Sequence, residues 1–333
     1  MRFLSILRTF FDNFTILLFV MVLLASLWPV HGQTAVIFNQ GTDIAIAILF
    51  FLHGAKLSRQ AIVQGITHWR LHLFIFAATF ALFPLLGMLL RPVFEPFLTP
   101  TLYLGILYIC VLPSTVQSSI AFTSVARGNV AAAMCSASLS NIVGLFLTPV
   151  LVGLLISSQA SQQDMHSGQA ALSIVYLLLI PFMLGQLCRQ WIYPLILRYP
   201  VMVKVVDQGS ILLVVYAAFS EAINEGLWQQ VSASTLVALL VICCILLAIV
   251  MVGLTYSSRL LGFNKADEIT IVFCGSKKTL ASGLPMAKIL FAGHPIGMLI
   301  LPLILFHQIQ LIVCGILAAR YARRIETDGQ SVD

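Results

Sequence analysis

Residues 267–291 read DEITIVFCGSKKTLASGLPMAKILF, an apolar stretch with two adjacent lysines, Lys277 and Lys278, at its middle. About 20 largely apolar residues cross a bilayer as a helix, so the stretch is long enough to span. If the span starts near Asp267, Lys277 lies ten residues in, about 15 Å deep at about 1.5 Å per residue and close to the midplane. Insertion scales set a lysine there at about +2.5 to +3.5 kcal/mol, so two of them persist only against water, an anion or compensating polar groups. Adjacent helical residues point about 100° apart, so one lysine can face a neighbouring helix and the other a cavity. A competing reading starts the span only at Thr279 and leaves the lysines in a cytoplasmic loop or a wide aqueous vestibule. That start leaves 13 residues up to Phe291, too few to span, and gives the apolar ITIVFCG (269–275) no role.

The whole chain has the same character. Of its 333 residues 60% are hydrophobic and 9% charged, with a mean hydropathy of +1.01, which marks an all-α polytopic membrane protein in a lipid bilayer. A window of about 19 residues finds ten spans. They lie near 13–30, 36–55, 71–90, 101–124, 130–156, 171–189, 208–226, 233–257, 268–291 and 296–319, which leaves no room for a large soluble domain. The net charge of +6 sits in short loops between apolar runs and reports topology, so no nucleic acid is expected as a partner. The N-terminal apolar run after Arg2 and Arg8 lacks an Ala-x-Ala type cleavage site, so it reads as a retained first span. The seven cysteines fall in apolar stretches without CxxC spacing, which predicts packing thiols and no metal site.

Basic residues collect on alternate loops. One side holds 14 of the 18, from Arg2 and Arg8 through Lys56, Arg127 and Lys265 to Arg320, Arg323 and Arg324; the other holds Arg91 and Lys288, and the remaining two are Lys277 and Lys278. By the positive-inside rule both termini are cytoplasmic, with 321–333 a cytoplasmic tail. The polar SSQASQQDMHSG (157–168) splits the single transmembrane domain, 1–333, into five spans and five. An odd number per half inverts the second half, giving repeat one at 10–156 and repeat two at 171–320.

The fourth span of each half is interrupted. In TLYLGILYICVLPSTVQSSIAFTSVARGN (101–129) the centre combines Pro113 with Ser114, Thr115, Gln117, Ser118 and Ser119; in the ninth span Gly275, Gly283 and Pro285 flank Ser276, Lys277, Lys278, Thr279 and Ser282. Pro and Gly are common in membrane helices, and a single kink would mean little. Matched breaks at corresponding positions point to a transporter binding site, because unwound carbonyls suit cations and half-helix N-termini suit anions.

PSTVQSSIAFTSVARGN (113–129) resembles the fourth-helix signature of the bile acid:sodium symporter superfamily. FLHGAKLS (51–58), GFNKADEITIVFCGSKKTLASGLPMA (262–287) and HQIQL (307–311) are similar to its SBF-like branch, which holds bacterial YfeH-type proteins and the animal member-seven bile-acid carrier relative. The resemblance implies a core of spans 3 to 5 and 8 to 10 moving against a panel of spans 1, 2, 6 and 7, with discontinuous helices 4 and 9 crossing near the midplane. It also implies two sodium ions at that crossing. Their ligands carry over to Ser118 and Ser119, and the next helix offers Ser136, Ser138 and Asn141. The ninth-helix Glu-x-x-x-Gln-Asn-Ser-Gly of those relatives falls here on Ser276, Leu280 and Ala281 before Ser282-Gly283, so its glutamate is absent and sodium coupling does not carry over.

Electrostatics suggests a replacement: one ammonium stands in for a sodium among the hydroxyls of the span-four break, the other meets an anionic substrate, and a buried lysine offers a proton as coupling ion. His307, with Gln308 and Gln310, in span ten either lines the same cavity or forms a helix–helix hydrogen bond. The chain thus reads as a secondary transporter of a small organic anion. The second reading is a non-transporting membrane regulator, for example of calcium handling. No HExxH, GxSxG or membrane-embedded carboxylate pair suggests an enzyme, and no cofactor is expected.

Overall fold

The computed structural model describes residues 13–56, 68–155, 175–291 and 296–329, and among them every regular element is helical. The polar 157–168 stretch that divides the two halves in the sequence lies outside the described residues. Besides two single-turn helices, Arg91–Phe94 and Leu227–Gln230, the helices are α1 (Asn13–Leu27), α2 (Gly32–Lys56), α3 (Trp69–Ala77), α4 (Phe83–Leu89), α5 (Pro100–Val111), α6 (Gln117–Val125) and α7 (Val130–Leu155). They continue as α8 (Ile180–Leu187), α9 (Arg189–Arg198), α10 (Pro200–Asn224), α11 (Ala233–Leu260), α12 (Lys265–Gly275), α13 (Gly283–Leu290) and α14 (Ile296–Gly329). Among the described residues six stretches are each long and apolar enough to cross a membrane: α2, α3 through α4, α7, α10, α11 and α14. A seventh is the pair Val175–Leu187 and Arg189–Arg198, bent by 88°.

Two wide turns punctuate the spans, Ala78–Leu82 and Val175–Leu179. Each is followed at once by a helix with proline at its start, Pro84 and Pro181. Proline supplies no N–H, so the ladder skips a rung there and the helix widens and under-winds locally. The stretches read as the fourth and ninth spans are each two short helices: α5 stops at Val111 before α6 begins at Gln117, and α12 stops at Gly275 before α13 begins at Gly283.

The chain folds as two compact units. The first comprises Met1–Ser58, Pro149–Ser234 and Ala281–Leu301. Within it α2 and α8 touch through small residues: a Cβ on Gly54 would run into the Phe182 carbonyl, and one on Gly185 into that of Phe51. Close backbone approach of this kind replaces hydrophobic driving force inside lipid. Lys56 pairs with Asp207, Lys288 Nζ lies 2.7 Å from Asp43 Oδ1, and the Tyr216 hydroxyl donates to the Trp28 carbonyl at 2.7 Å.

The second unit comprises Arg59–Thr148, Thr235–Leu280 and Pro302–Asp333. Its α12 starts on Asn264, whose side chain accepts from the Asp267 N–H at 2.8 Å, and Asp267 and Glu268 sit in the first turn where carboxylates complement the helix dipole. Glu268 is clamped by Arg259 at 3.1 Å and Lys265 at 2.6 Å, and Asp267 accepts from Asn129 Nδ2 at 2.9 Å. Outward-facing Leu and Val side chains such as Leu89, Leu154, Val201 and Leu260 are exposed, and the four tryptophans are exposed with them, as a lipid-facing surface with an aromatic belt requires. Five cysteines are buried, Cys188 is half-buried and Cys244 exposed, and none of the seven is in a disulfide.

Candidate functional site

The two breaks meet inside the second unit and close each other's open backbone. Pro113 ends α5 because it has no N–H and its ring excludes the next helical turn. The Pro113 carbonyl accepts from the Thr279 N–H at 3.0 Å, which ties break to break through the main chain. The Ser114 hydroxyl donates to the Cys274 carbonyl at 2.6 Å, and the Ser119 hydroxyl to the Phe273 carbonyl at 3.2 Å. The last carbonyls of α12, which have no intrahelical donors of their own, are thereby satisfied by hydroxyls from the other break. Ser118 donates to Thr115 Oγ1 at 2.8 Å, and Thr115 and Ser119 share a bond of 2.9 Å.

Helix α7 backs the first break. Ser140 Oγ accepts from the Ser114 N–H at 3.1 Å, Asn141 Nδ2 donates to the Ser114 carbonyl at 2.7 Å, and Thr148 donates to the Val111 carbonyl at 2.9 Å. The backing is close because Gly144 faces Pro113: a Cβ there would stand 2.6 Å from the proline ring. Gln310 of α14 backs the second break. Its amide oxygen accepts from the Lys278 N–H at 2.9 Å and its Nε2 donates to the Lys278 carbonyl at 2.8 Å, a two-point clamp on unwound backbone. His307 Nδ1 lies 2.9 Å from the same Nε2.

Both lysine side chains are fully buried, yet their surroundings differ. Lys278 Nζ donates to the carbonyls of Thr79, Cys110 and Leu112 at 2.8, 2.9 and 2.8 Å, with the Phe83 ring centroid 4.1 Å away. Among the described residues Lys277 Nζ has no hydrogen-bond partner. It sits 3.8 Å from the Phe122 centroid and 5.8 Å from that of Phe273. Cation–π contact returns about 2 kcal/mol or more when desolvated, which still leaves most of the cost of burying an ammonium uncompensated.

The residues expected from the sequence divide accordingly. Pro113, Ser114, Thr115, Ser118, Ser119, Asn141, Ser276, Lys277, Lys278, Thr279 and His307 all lie on or against the joined breaks. Ser276, at the glutamate position of the resemblance, turns its hydroxyl onto the Val272 carbonyl at 2.6 Å. Ser136 bonds away from the breaks, to His72 Nδ1 at 2.6 Å. Ser138 is half-buried on the same helix, Gln117 is exposed, Gln308 is buried in α14, and Ser282 precedes α13 in the first unit. The expectation that hydroxyls of the fourth span would hold an ammonium is corrected: main-chain carbonyls hold Lys278, because those hydroxyls are taken up by α12. Sequence reasoning missed Ser140, Thr148, Phe122 and Pro84. For Gln310, set one turn from His307 in HQIQL, the hydrogen-bonding alternative is the one the structure shows, with the Lys278 backbone as partner.

Among the described residues no three His, Cys, Asp or Glu side chains group as metal ligands do. The polar groups at the breaks are hydroxyls, amides, main-chain carbonyls and two ammoniums.

A family model of SBF-like CPA transporters matches residues 12–323. The chain belongs to the SBF-like CPA transporter family. Protein PA2026 of Pseudomonas aeruginosa is 58% identical over 94% of this chain and 93% of its own. The Escherichia coli protein named "Putative symporter YfeH" is 53% identical over 95% of this chain and 94% of its own. The rat protein named "Sodium/bile acid cotransporter 7" is 29% identical over 82% of this chain and 81% of its own. As a member of the SBF-like CPA transporter family the chain is an integral, multi-pass membrane protein of a transporter family.

Proposed function

We propose that this protein is a secondary transporter that moves a small organic anion by alternating access, coupled to protons and not to sodium. The observation that carries the reading is Lys277: an ammonium at the joined breaks, closed off from solvent, with no hydrogen-bond partner among the described residues. A buried cation so placed is a standing demand for an anion. The argument against sodium is chemical. The position that holds a glutamate in sodium-coupled relatives of the wider superfamily is Ser276, and its hydroxyl is bonded to its own helix. A transporter role also accords with the names of two relatives, a symporter and a cotransporter.

The proposed architecture is ten spans in two inverted repeats of five, divided into a core of spans 3 to 5 and 8 to 10 and a panel of spans 1, 2, 6 and 7. Both termini face the cytoplasm of a bacterial inner membrane. Ion pairs within each unit support the assignment of faces. Lys288 with Asp43, and Arg91 with Glu95 at 2.8 Å, join residues read as outer, whereas Lys265 and Arg259 join Glu268 on the inner face.

The test is reconstitution into liposomes with a panel of carboxylate, sulfonate and phosphate solutes under imposed sodium or proton gradients. Saturable uptake of one anion class, driven by the proton gradient and lost in Lys277→Met, is expected. Uptake that requires sodium, or equal uptake by Lys277→Met, would overturn the reading. No saturable uptake of any anion would favour a regulatory role on the same fold.

A further inference from the structure

Lys278 sits in a site that the backbone builds before the side chain arrives. Thr79 lies in the wide turn Ala78–Leu82, where the Phe83 N–H reaches back to the Ala78 carbonyl. The next residue in line to serve Thr79 is Pro84, which has no N–H, so the Thr79 carbonyl is left open. At the end of α5 the same happens twice. The donor that would serve Cys110 in a continuing helix is Ser114, and its N–H is taken by Ser140 Oγ. Leu112 is extended, with ψ 152°, and its carbonyl turns out of the helix. Two prolines and one serine thus free three carbonyls that converge within 2.9 Å of a single point.

That point carries negative potential. Two of the carbonyls end α5, where the helix dipole concentrates its negative end, and the Phe83 ring face closes one side. Rings of main-chain carbonyls are the ligand set that takes up monovalent cations elsewhere in membrane proteins. An ammonium has three donors, and Lys278 matches all three to the three carbonyls. Among the described residues no ion pair includes Lys278, so the charge is met by dipoles alone.

We propose that Lys278 is a tethered cation filling a monovalent-cation site of three carbonyls, so that the joined breaks hold together without an ion from solution. The inference rests on this cage and is independent of whether, and what, the protein transports. Without the lysine side chain, the same site becomes open to a small free cation.

The test uses the full chain purified in detergent, with thermal unfolding followed by a thiol-reactive dye that reports the buried cysteines. Midpoints are compared in sodium, potassium, ammonium and N-methylglucamine chlorides at equal ionic strength. The wild type is expected to give one midpoint in all four. Lys278→Ala should unfold lower in N-methylglucamine and regain about 5 °C in at least one small cation, as ligand binding to the folded state dictates. Lys278→Met, which fills the space, should unfold lower and respond to none of them. The proposal is overturned by a wild type that one small cation selectively stabilises, by a folded Lys278→Ala indifferent to every cation, or by Lys278→Met as stable as wild type. If Lys278→Ala gives no folded protein in N-methylglucamine, extraction is repeated in ammonium chloride. Folded protein obtained only then supports the proposal, and none under any cation overturns it.

Discussion

Lys277 and Lys278 are neighbours in the chain and opposites in environment. One side chain is matched donor for acceptor by three carbonyls, while the other rests on an aromatic ring with its donors unmet among the described residues. Substitution should separate them. Lys278→Met strands three buried carbonyls at about 1–3 kcal/mol each, so its unfolding midpoint should fall sharply. Lys277→Met removes an unpaired buried charge, so its midpoint should hold or rise while uptake drops at least about tenfold. A scan of unfolding midpoints beside uptake rates checks both. The sequence told us that two ammoniums at that depth needed compensation. Which lysine would receive it could not be read, because the acceptors are main-chain atoms freed by Pro84, Pro113 and the Ser114–Ser140 bond, in segments far away in the chain.

At the scale of elements, the interruptions at Pro113 and at Gly275 through Gly283 were legible from breakers and hydroxyls in corresponding spans. Their partners were not. Ser140 and Gln310 are polar residues on otherwise continuous helices, and nothing local distinguishes Ser140 from Ser136 or Ser138 until α7 is packed against the break. Gln310→Leu should cost about 2–4 kcal/mol, because it leaves both the Lys278 N–H and its carbonyl unpaired in a buried site. Gly144→Ala should cost about 1–3 kcal/mol through overpacking against the Pro113 ring. Unfolding midpoints measure both, and a Gly144→Ala protein as stable as wild type would show that α7 does not press on the break. The wide turns were missed for a related reason: Pro84 and Pro181 were visible, but proline in a membrane helix can kink it, widen it or do neither, and neighbouring helices decide which.

For the whole molecule, hydropathy carried the helical fold class. All described elements are helices, and six of the ten apolar runs read from the sequence hold a helix long and apolar enough to cross a membrane, or seven with the bent pair. What pattern alone did not show is that the boundary between the compact units passes through the ninth and tenth apolar runs, between Leu280 and Ala281 and between Leu301 and Pro302. Contact between distant segments sets such a boundary, and residue composition does not change there. The proposed topology predicts that a fluorescent protein fused after Asp333 is bright and a periplasm-dependent phosphatase fused there inactive. The reverse pattern would place the C-terminus outside. The central claim, an anion carrier whose crossing holds its own cation, is tested most directly by anion uptake into liposomes prepared without sodium, under a proton gradient. The account predicts saturable uptake that added sodium does not stimulate and that Lys277→Met abolishes; uptake that appears only with sodium, or that survives Lys277→Met unchanged, would contradict it.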